Sequence, residues 1–263
     1  MSLTGKTPAD TYKDMLTIEN NNSGVNGSTR IIKTGNGNES SLRISDRALK
    51  VKSVTDNTTA LDVQNSSGTS KLIVDTTNDQ VKALGHHVNT QYANFGIGNF
   101  DSLNFAANTH HPIPFVTNDV GGSGTQDDIT FGTSTEPATT FTTANGTGQY
   151  ASSLTGVIWY LPDAISIDGV YSIEGADSGS GDTTRMHLYS YTFTSGSTSA
   201  LTSGTLLAHN DDVTNAGSEQ AYLTTWTVDS ASVSAGKVIV AFFRQDSTNS
   251  DYSLNITVKY HLT

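Results

Sequence analysis

Short alternations of apolar and polar residues, separated by polar turns, dominate residues 59–85. The apolar positions are Leu61, Val63, Leu72, Val74 and Val81. Between the first two alternations, Asn65-Ser66-Ser67-Gly68 predicts a β-hairpin, because these residue types favour tight turns. Each alternation offers too few apolar side chains to form a core. Since so thin a ladder needs other strands to cover its apolar face, we expect neighbouring copies of the chain to supply them.

The same spacing occurs upstream, where Leu42 and Ile44 are followed by Leu49 and Val51. This resemblance between the two stretches indicates a degenerate repeat of small hairpins. We therefore predict a shaft over residues 41–90, in which strands of several chains intertwine. The predicted shaft contacts are Leu42, Ile44, Leu49, Val51, Leu61, Val63, Leu72, Val74 and Val81.

The C-terminal half has the pattern of a larger β domain. Residues 252–262 alternate with period two, and the apolar run 238–243 predicts a central strand buried on both faces. Eight candidate strands cover residues 128–131, 156–161, 165–173, 185–193, 204–208, 221–228, 237–244 and 252–262. Eight strands with polar turns predict an antiparallel sandwich of the jelly-roll type over 126–263. Residues 91–125, with the glycine-rich 121–124, are predicted to be a transition or linker.

Composition and charge divide the chain further. The 263 residues include 35% hydrophobic and 15% charged residues and no cysteine, so disulfides, thiolate metal sites and a cysteine nucleophile are excluded. Residues 1–100 hold ten Lys or Arg against nine Asp or Glu, while 101–263 hold four against sixteen. The acidic second part argues against binding to nucleic acid there. It equally fits an exposed β domain kept soluble by its charge. No apolar run or charged leader predicts membrane insertion or export.

Candidate chemistry is sparse. His86-His87 and His110-His111 offer imidazoles, but neighbours in a strand point to opposite faces, so each pair could give a metal ion one ligand. The acidic stretches Asp127-Asp128, 177–182 and Asp211-Asp212 lack the EF-hand pattern. Neither a nucleophile elbow nor a nucleotide-binding fingerprint occurs. We therefore predict no metal, no cofactor and no enzymatic activity.

Aromatic residues in the second half suggest a surface on which sugar rings could stack. The possible ligand face consists of Trp159, Tyr189, Tyr191, Tyr222 and Trp226. Aromatic residues in alternating strands also pack in cores, which is the alternative interpretation of the same residues.

Three stretches carry a family resemblance. The opening 7–16 with 21–25, the unit 60–75, and 175–182 with 245–252 resemble fibre and capsid-decoration proteins of tailed phages that infect aquatic bacteria. The resemblance implies a homotrimer with a particle-bound N-terminus, a thin β shaft and a globular head. It implies an anchoring arm over 1–40, in which the predicted contacts are Pro8, Tyr12, Met15, Leu16 and Ile18.

The expected fold is thus all-β, with an extended arm, an intertwined hairpin shaft and a jelly-roll-like sandwich. The expected function is that of a non-enzymatic structural protein on the virion surface, assembled in the host cytoplasm and bound to capsid or tail proteins. A length of 263 residues is short for a tail fibre that reaches the host, which favours the capsid. The alternative functions are a tail-fibre or adhesin tip that binds a host glycan, and a polysaccharide depolymerase.

Overall fold

The computed structural model describes residues 16–18, 24–100, 105–115, 129–143, 154–176, 180–216, 219–246 and 252–263. The chain divides into two compact units, Met1–Val88 and Asn89–Thr263. The elements of the described residues are twenty β-strands, which confirms the all-β class. Within those same ranges, no helix has the length and apolar character needed to cross a bilayer.

The first unit contains two four-stranded antiparallel sheets, each a meander in which consecutive strands pair. The first sheet consists of β1 Leu16–Ile18, β2 Arg30–Thr34, β3 Glu39–Ile44 and β4 Leu49–Val51. The second consists of β5 Leu61–Gln64, β6 Ser70–Asp75, β7 Gln80–Ala83 and β8 His86–His87. Because β2 pairs with β3, one sheet crosses the boundary at residue 40 that the sequence suggested between arm and shaft.

Turn chemistry fixes the register of the second sheet. In the β5–β6 hairpin, the Asn65 amide donates to the Thr69 carbonyl, and Gly68 has a φ of +81° and donates to the Asn65 carbonyl. Glycine suits this left-handed conformation because it has no Cβ. The hairpin predicted at this turn is therefore present. In the next turn, the Asp75 carboxylate accepts the amides of Thr77 and Asn78, each at 3.0 Å.

The second unit is a sandwich of two antiparallel sheets. A seven-stranded sheet has the order β10-β19-β13-β14-β17, with β11 on β19 and β15 on β13; a five-stranded sheet has the order β16-β12-β20-β9, with β18 on β12. The strands are β9 Thr90–Phe100, β10 His111–Ile113, β11 Trp159–Tyr160, β12 Ile165–Ala176, β13 Thr183–Phe193, β14 Leu201–His209, β15 Val213–Thr214, β16 Gln220–Thr225, β17 Thr227–Val228, β18 Ser232–Val233, β19 Lys237–Gln245 and β20 Tyr252–Leu262.

The connectivity is that of a jelly roll. If the principal strands β9, β10, β12, β13, β14, β16, β19 and β20 are counted 1 to 8, the sheets have the orders 2-7-4-5 and 6-3-8-1. Each consecutive pair of these strands except β13 and β14 therefore crosses from one sheet to the other, as in two nested Greek keys. β10 and β11 lie end to end along β19, since Ile113 pairs with Ala241 and Trp159 pairs with Ile239.

Two hydrophobic clusters explain why the large sheet is buried on both faces. One lies between the sheets and includes Phe95, Leu188 and Ile256. The other lies on the opposite face of the large sheet, where Phe131 packs on Phe242 with ring centroids 4.5 Å apart. Residues 238–243 are accordingly all buried, so the central strand predicted there is confirmed.

The structure differs from the sequence prediction around residues 91–131. The predicted linker 91–125 contributes β9 and β10, so the sandwich begins near Asn89 and not at residue 126. The predicted strand 128–131 is not a strand at its described residues, 129–131. Ile129 and Phe131 instead cover the outer face of the large sheet. Ile129 and Phe131 are apolar because they pack on the sheet. In the sequence, an alternation of apolar residues looks the same whether it lies in a strand or in such a covering segment.

Gly204 allows the covering segment 129–143 to approach the large sheet. A Cβ at this position would lie 2.6 Å from Tyr191 Cε1 and 2.8 Å from the Thr139 Cα. We expect Gly204→Ala to lower the free energy of unfolding by about 1–3 kcal/mol, the usual cost of overpacking. Gly98→Ala is the control, since a Cβ there meets nothing within 4 Å. Urea unfolding followed by tryptophan fluorescence measures both, and equal stability of the two variants would contradict the assignment.

Candidate functional site: apolar sheet faces of the first unit

The second sheet of the first unit has one apolar face. The register pairs Leu61 with Val74 and Val74 with Val81, and it pairs Val63 with Leu72. Because paired residues and alternate residues share a face, these five side chains lie together. Ala83, opposite Leu72, extends the row. The other face is mixed, with Asp62, Ile73 and Lys82 in one cross-strand row.

The first sheet repeats this arrangement. Leu42 pairs with Val51 and Ile44 pairs with Leu49, so the four predicted contacts of this stretch share a face. Arg43 and Lys50 pair on the opposite face. The register thus gathers the predicted shaft residues into two sets, one on each sheet. Their contact with other chains stays a prediction.

These faces are not covered within the described chain. Among residues 16, 18 and 24–88, no hydrophobic side chain is buried, and Asp75 is the one buried residue. Exposed fractions reach 69% at Leu49, 47% at Val63 and 39% at Val81. In the first sheet, Arg30 pairs with Ile44 and so borders the apolar set on the same face. An apolar face that remains accessible marks an interaction surface, because soluble proteins seldom leave such patches in water.

The predicted anchoring residues divide between two categories. Pro8, Tyr12 and Met15 lie outside the described residues. Leu16 and Ile18 lie in β1, where Ile18 pairs with Ile32 and Leu16 is 68% exposed. Leu16 and Ile18 therefore belong to the same sheet as the predicted shaft contacts Leu42, Ile44, Leu49 and Val51. Ile32 and Ala83 also belong to these sheets, although they were not among the predicted contacts.

The possible ligand face is wrong for four of its five residues. Trp159, Tyr189, Tyr191 and Trp226 are buried, and Tyr222 is half-buried. The Tyr191 hydroxyl donates to the Ala138 carbonyl at 2.8 Å, and the Trp226 indole donates to Ser172 Oγ at 2.9 Å. Both faces of the large sheet are covered. Aromatic side chains on either side of its strands therefore pack inside the protein. These residues hold the sandwich together and cannot stack on a sugar.

A buried pair of histidines lies beneath the covering segment. The His110 and His187 rings have centroids 5.1 Å apart, and both residues have no exposed surface. Burial lowers the pKa of His110 to about 4 and that of His187 to about 3. The His187 Nε2 lies 3.4 Å from a Glu136 oxygen. Because the pKa of His187 is so low, this contact joins a neutral ring to a carboxylate and is not a salt bridge near neutral pH.

The neighbouring His111 points the other way, as the sequence predicted for adjacent strand residues. Its ring packs against Phe105, with centroids 4.9 Å apart, on the side of the core between the sheets. The two adjacent histidines therefore serve different packing layers. His86 and His87 form β8 in the first unit.

A second buried titratable group is Glu174. Its exposed fraction is 1%, and burial raises the pKa of its carboxyl to about 7, although hydrogen bonds from the Thr184 hydroxyl act in the opposite direction. Its position inside the sandwich places it out of reach of a polymeric substrate.

The comparison with known proteins adds no name to this geometry. No protein-family model matches the chain, and no curated protein matches it closely enough to be reported as a relative. The interpretation of the site therefore depends on its residues.

The histidine pair predicts a pH-dependent contribution to stability. The unfolded chain protonates these rings near pH 6.5, whereas the folded chain does not do so until the pH falls to about 4 and 3. The unfolded state thus binds more protons between these values, and the contribution to stability is lost as the pH falls. We expect wild type to lose stability relative to the His110→Gln/His187→Gln variant between pH 7 and pH 4.5. Urea titrations that show a constant difference would contradict this.

Glu174 predicts the opposite dependence. Its pKa rises from 4.5 when unfolded to about 7 when folded, so the folded state holds the extra proton and stability falls as the pH rises through this window. We expect Glu174→Gln to gain about 1–3 kcal/mol relative to wild type on going from pH 4 to pH 8. The same titrations measure it. A Glu174→Gln variant with a pH-independent difference from wild type would rule out the buried, protonated carboxyl.

Proposed function

We propose that this chain is a non-enzymatic structural protein of a bacteriophage virion. It acts as a homotrimeric fibre or decoration protein, bound to the capsid through its N-terminal segment, with the jelly-roll unit exposed on the virion surface. The observation that carries this proposal is the first unit, which presents an apolar face on each of its sheets yet buries no hydrophobic side chain among its described residues.

Uncovered faces of this kind are unstable in water. Each apolar side chain that passes from exposed to fully buried contributes about 1.5–3 kcal/mol, and a sheet with no covered face lacks this contribution. Two four-stranded sheets without a core need covering surface from elsewhere. A second and third copy of the same unit supply that surface with matching height and spacing.

The composition of the faces favours identical partners. In the second sheet, the row of Leu61, Val74 and Val81 has no charge, so an identical row from another chain meets it without burying an ion. Charged residues such as Asp62 and Lys82 occupy the opposite face, which stays in water. An axis of symmetry brings equivalent residues together, and an uncharged aliphatic face is complementary to itself.

The second unit offers a further patch suited to contact between chains. On the outer face of the five-stranded sheet, Ile173 pairs with Leu223, and their exposed fractions are 54% and 77%. Tyr171, 39% exposed, lies two residues from Ile173 on the same face. Their cross-strand neighbours on β20 are Thr257 and Asn255, which are uncharged. In a half of the chain with sixteen acidic residues, an uncharged apolar patch supports packing of heads against each other.

We propose attachment to the capsid rather than to the tail. The alternative is a tail fibre or adhesin tip that recognises a host glycan. Labelling of virions with an antibody against the jelly-roll unit, followed by electron microscopy, distinguishes the two. Label over the whole head supports decoration of the capsid, and label confined to the tail supports the alternative.

Substitutions in β5 and β6 test the trimer. Leu72→Asp together with Leu61→Asp puts unpaired charge on the covered face, at a cost of several kcal/mol, and we expect the trimer to dissociate. Lys71→Asp is the matched control, because successive strand residues point to opposite faces. Light scattering after size-exclusion chromatography measures the mass, and tryptophan emission confirms that the jelly roll is folded.

A wild-type monomer would refute the proposal outright. So would a trimer that survives both aspartates. Dissociation by Lys71→Asp as strong as that by the double variant would show that the wrong face had been assigned.

A further inference from the structure

A pocket opens in the second unit, on the side of the large sheet that the covering segment occupies. Its volume is about 700 Å³, within the range of small-molecule sites. The β13–β14 turn forms one wall and residues 154–160 form another. The buried side chains of Leu154, Ala200 and Val238 form part of the lining. The pocket thus rests on the hydrophobic cluster that covers the outer face of the large sheet.

Two aromatic residues contribute accessible surface to this pocket. Tyr160, in β11, is 57% exposed, and Phe193, at the end of β13, is 41% exposed. Both line the pocket, as does Ile158. In the part of the second unit that the structure describes, most large aromatic side chains are buried, so accessible rings beside a concavity need an explanation. Exposed rings offer flat apolar faces to a ligand.

Most of the lining is apolar, and five of its described residues are threonine or serine and carry an aliphatic hydroxyl group. Thr143, Thr155, Thr194, Ser197 and Thr198 all line the pocket. The Thr143 hydroxyl donates to the Thr198 carbonyl at 3.1 Å and retains its acceptor lone pairs. A hydroxyl can donate and accept, so this wall can match the hydroxyls of a ligand in either sense.

Charge narrows the class of ligand. Among the described residues that line the pocket, none carries a charge. An anionic ligand would find no cation there and would approach a half of the chain with four basic and sixteen acidic residues. A cationic ligand would bury its charge without a partner. A neutral molecule with an apolar face and several hydroxyls satisfies both parts of the lining.

We propose that this pocket binds a neutral saccharide. One face of a sugar ring presents C–H groups, which pack on Tyr160 and Phe193, while its hydroxyls bond to the threonine and serine wall. This inference goes beyond a structural role and does not require the trimer. The proposed ligand surface is therefore not the set of buried aromatic residues that the sequence suggested. It lies at Tyr160 in β11 and at Phe193, where the β13–β14 turn begins.

The test uses the full chain on an array that carries neutral and anionic oligosaccharides. We expect binding to members of the neutral set, weakened about tenfold or more by Tyr160→Ala and by Phe193→Ala. Tyr92→Ala is the control, because Tyr92 is a 62% exposed aromatic residue that does not line the pocket. Light scattering and tryptophan emission establish that each variant keeps its mass and fold, so that failure of the trimer is recognised separately.

Binding to anionic members alone, or to no neutral member, would overturn the proposal. The same holds if Tyr160→Ala and Phe193→Ala bind as well as wild type, or if Tyr92→Ala loses as much affinity as they do. A fluorescent fatty acid is the probe for the rival ligand class. The pocket is a lipid site and not a sugar site if binding of the fatty acid depends on Tyr160 and no neutral saccharide displaces it.

Discussion

An apolar face of a β-sheet has to be removed from water, and the two units of this chain meet that constraint differently. In the second unit, β19 is covered on one side by the five-stranded sheet and on the other by the segment around Phe131. In the first unit, the described residues cover neither sheet. The jelly roll thus has a core of its own. The first unit has none among its described residues, which is why we propose that other copies of the chain cover it.

The covering segment depends on a few specific contacts. Tyr189 donates to Glu136 at 2.9 Å, Tyr191 donates to Ala138, and the Gly204 amide donates to Thr139 at 2.8 Å. The Phe131 amide and the His110 carbonyl form a further backbone hydrogen bond. These polar contacts fix the position of a segment that contains little regular structure. They also account for the buried histidines, since His110 lies where the segment meets the sheet.

The local pattern of the sequence was sufficient for features that depend on neighbouring residues. The turn at Asn65 to Gly68, the alternation of β20 and the buried run of β19 are encoded within a few positions each, and the structure contains all three. Features that depend on distant residues were not accessible. Nothing in the sequence near His110 shows that it meets His187, and the glycine and asparagine residues of β9 concealed a strand that pairs with β20. For the aromatic residues the sequence left a ligand surface and core packing both open, because period two indicates which residues share a face, not whether that face is covered. The structure shows core packing for Trp159, Tyr189, Tyr191 and Trp226.

The end-to-end arrangement of β10 and β11 has a consequence for diversity. Ile113 and Trp159 pair with Ala241 and Ile239, so the chain leaves the edge of the large sheet and later returns to the adjoining stretch of the same edge. Topologically, residues 114–158 are an insertion into a single edge strand. Their length and sequence can change without altering the order of the other strands, provided that the cover over Phe242 is kept. The jelly roll therefore contains a segment that can be exchanged without a change of strand order.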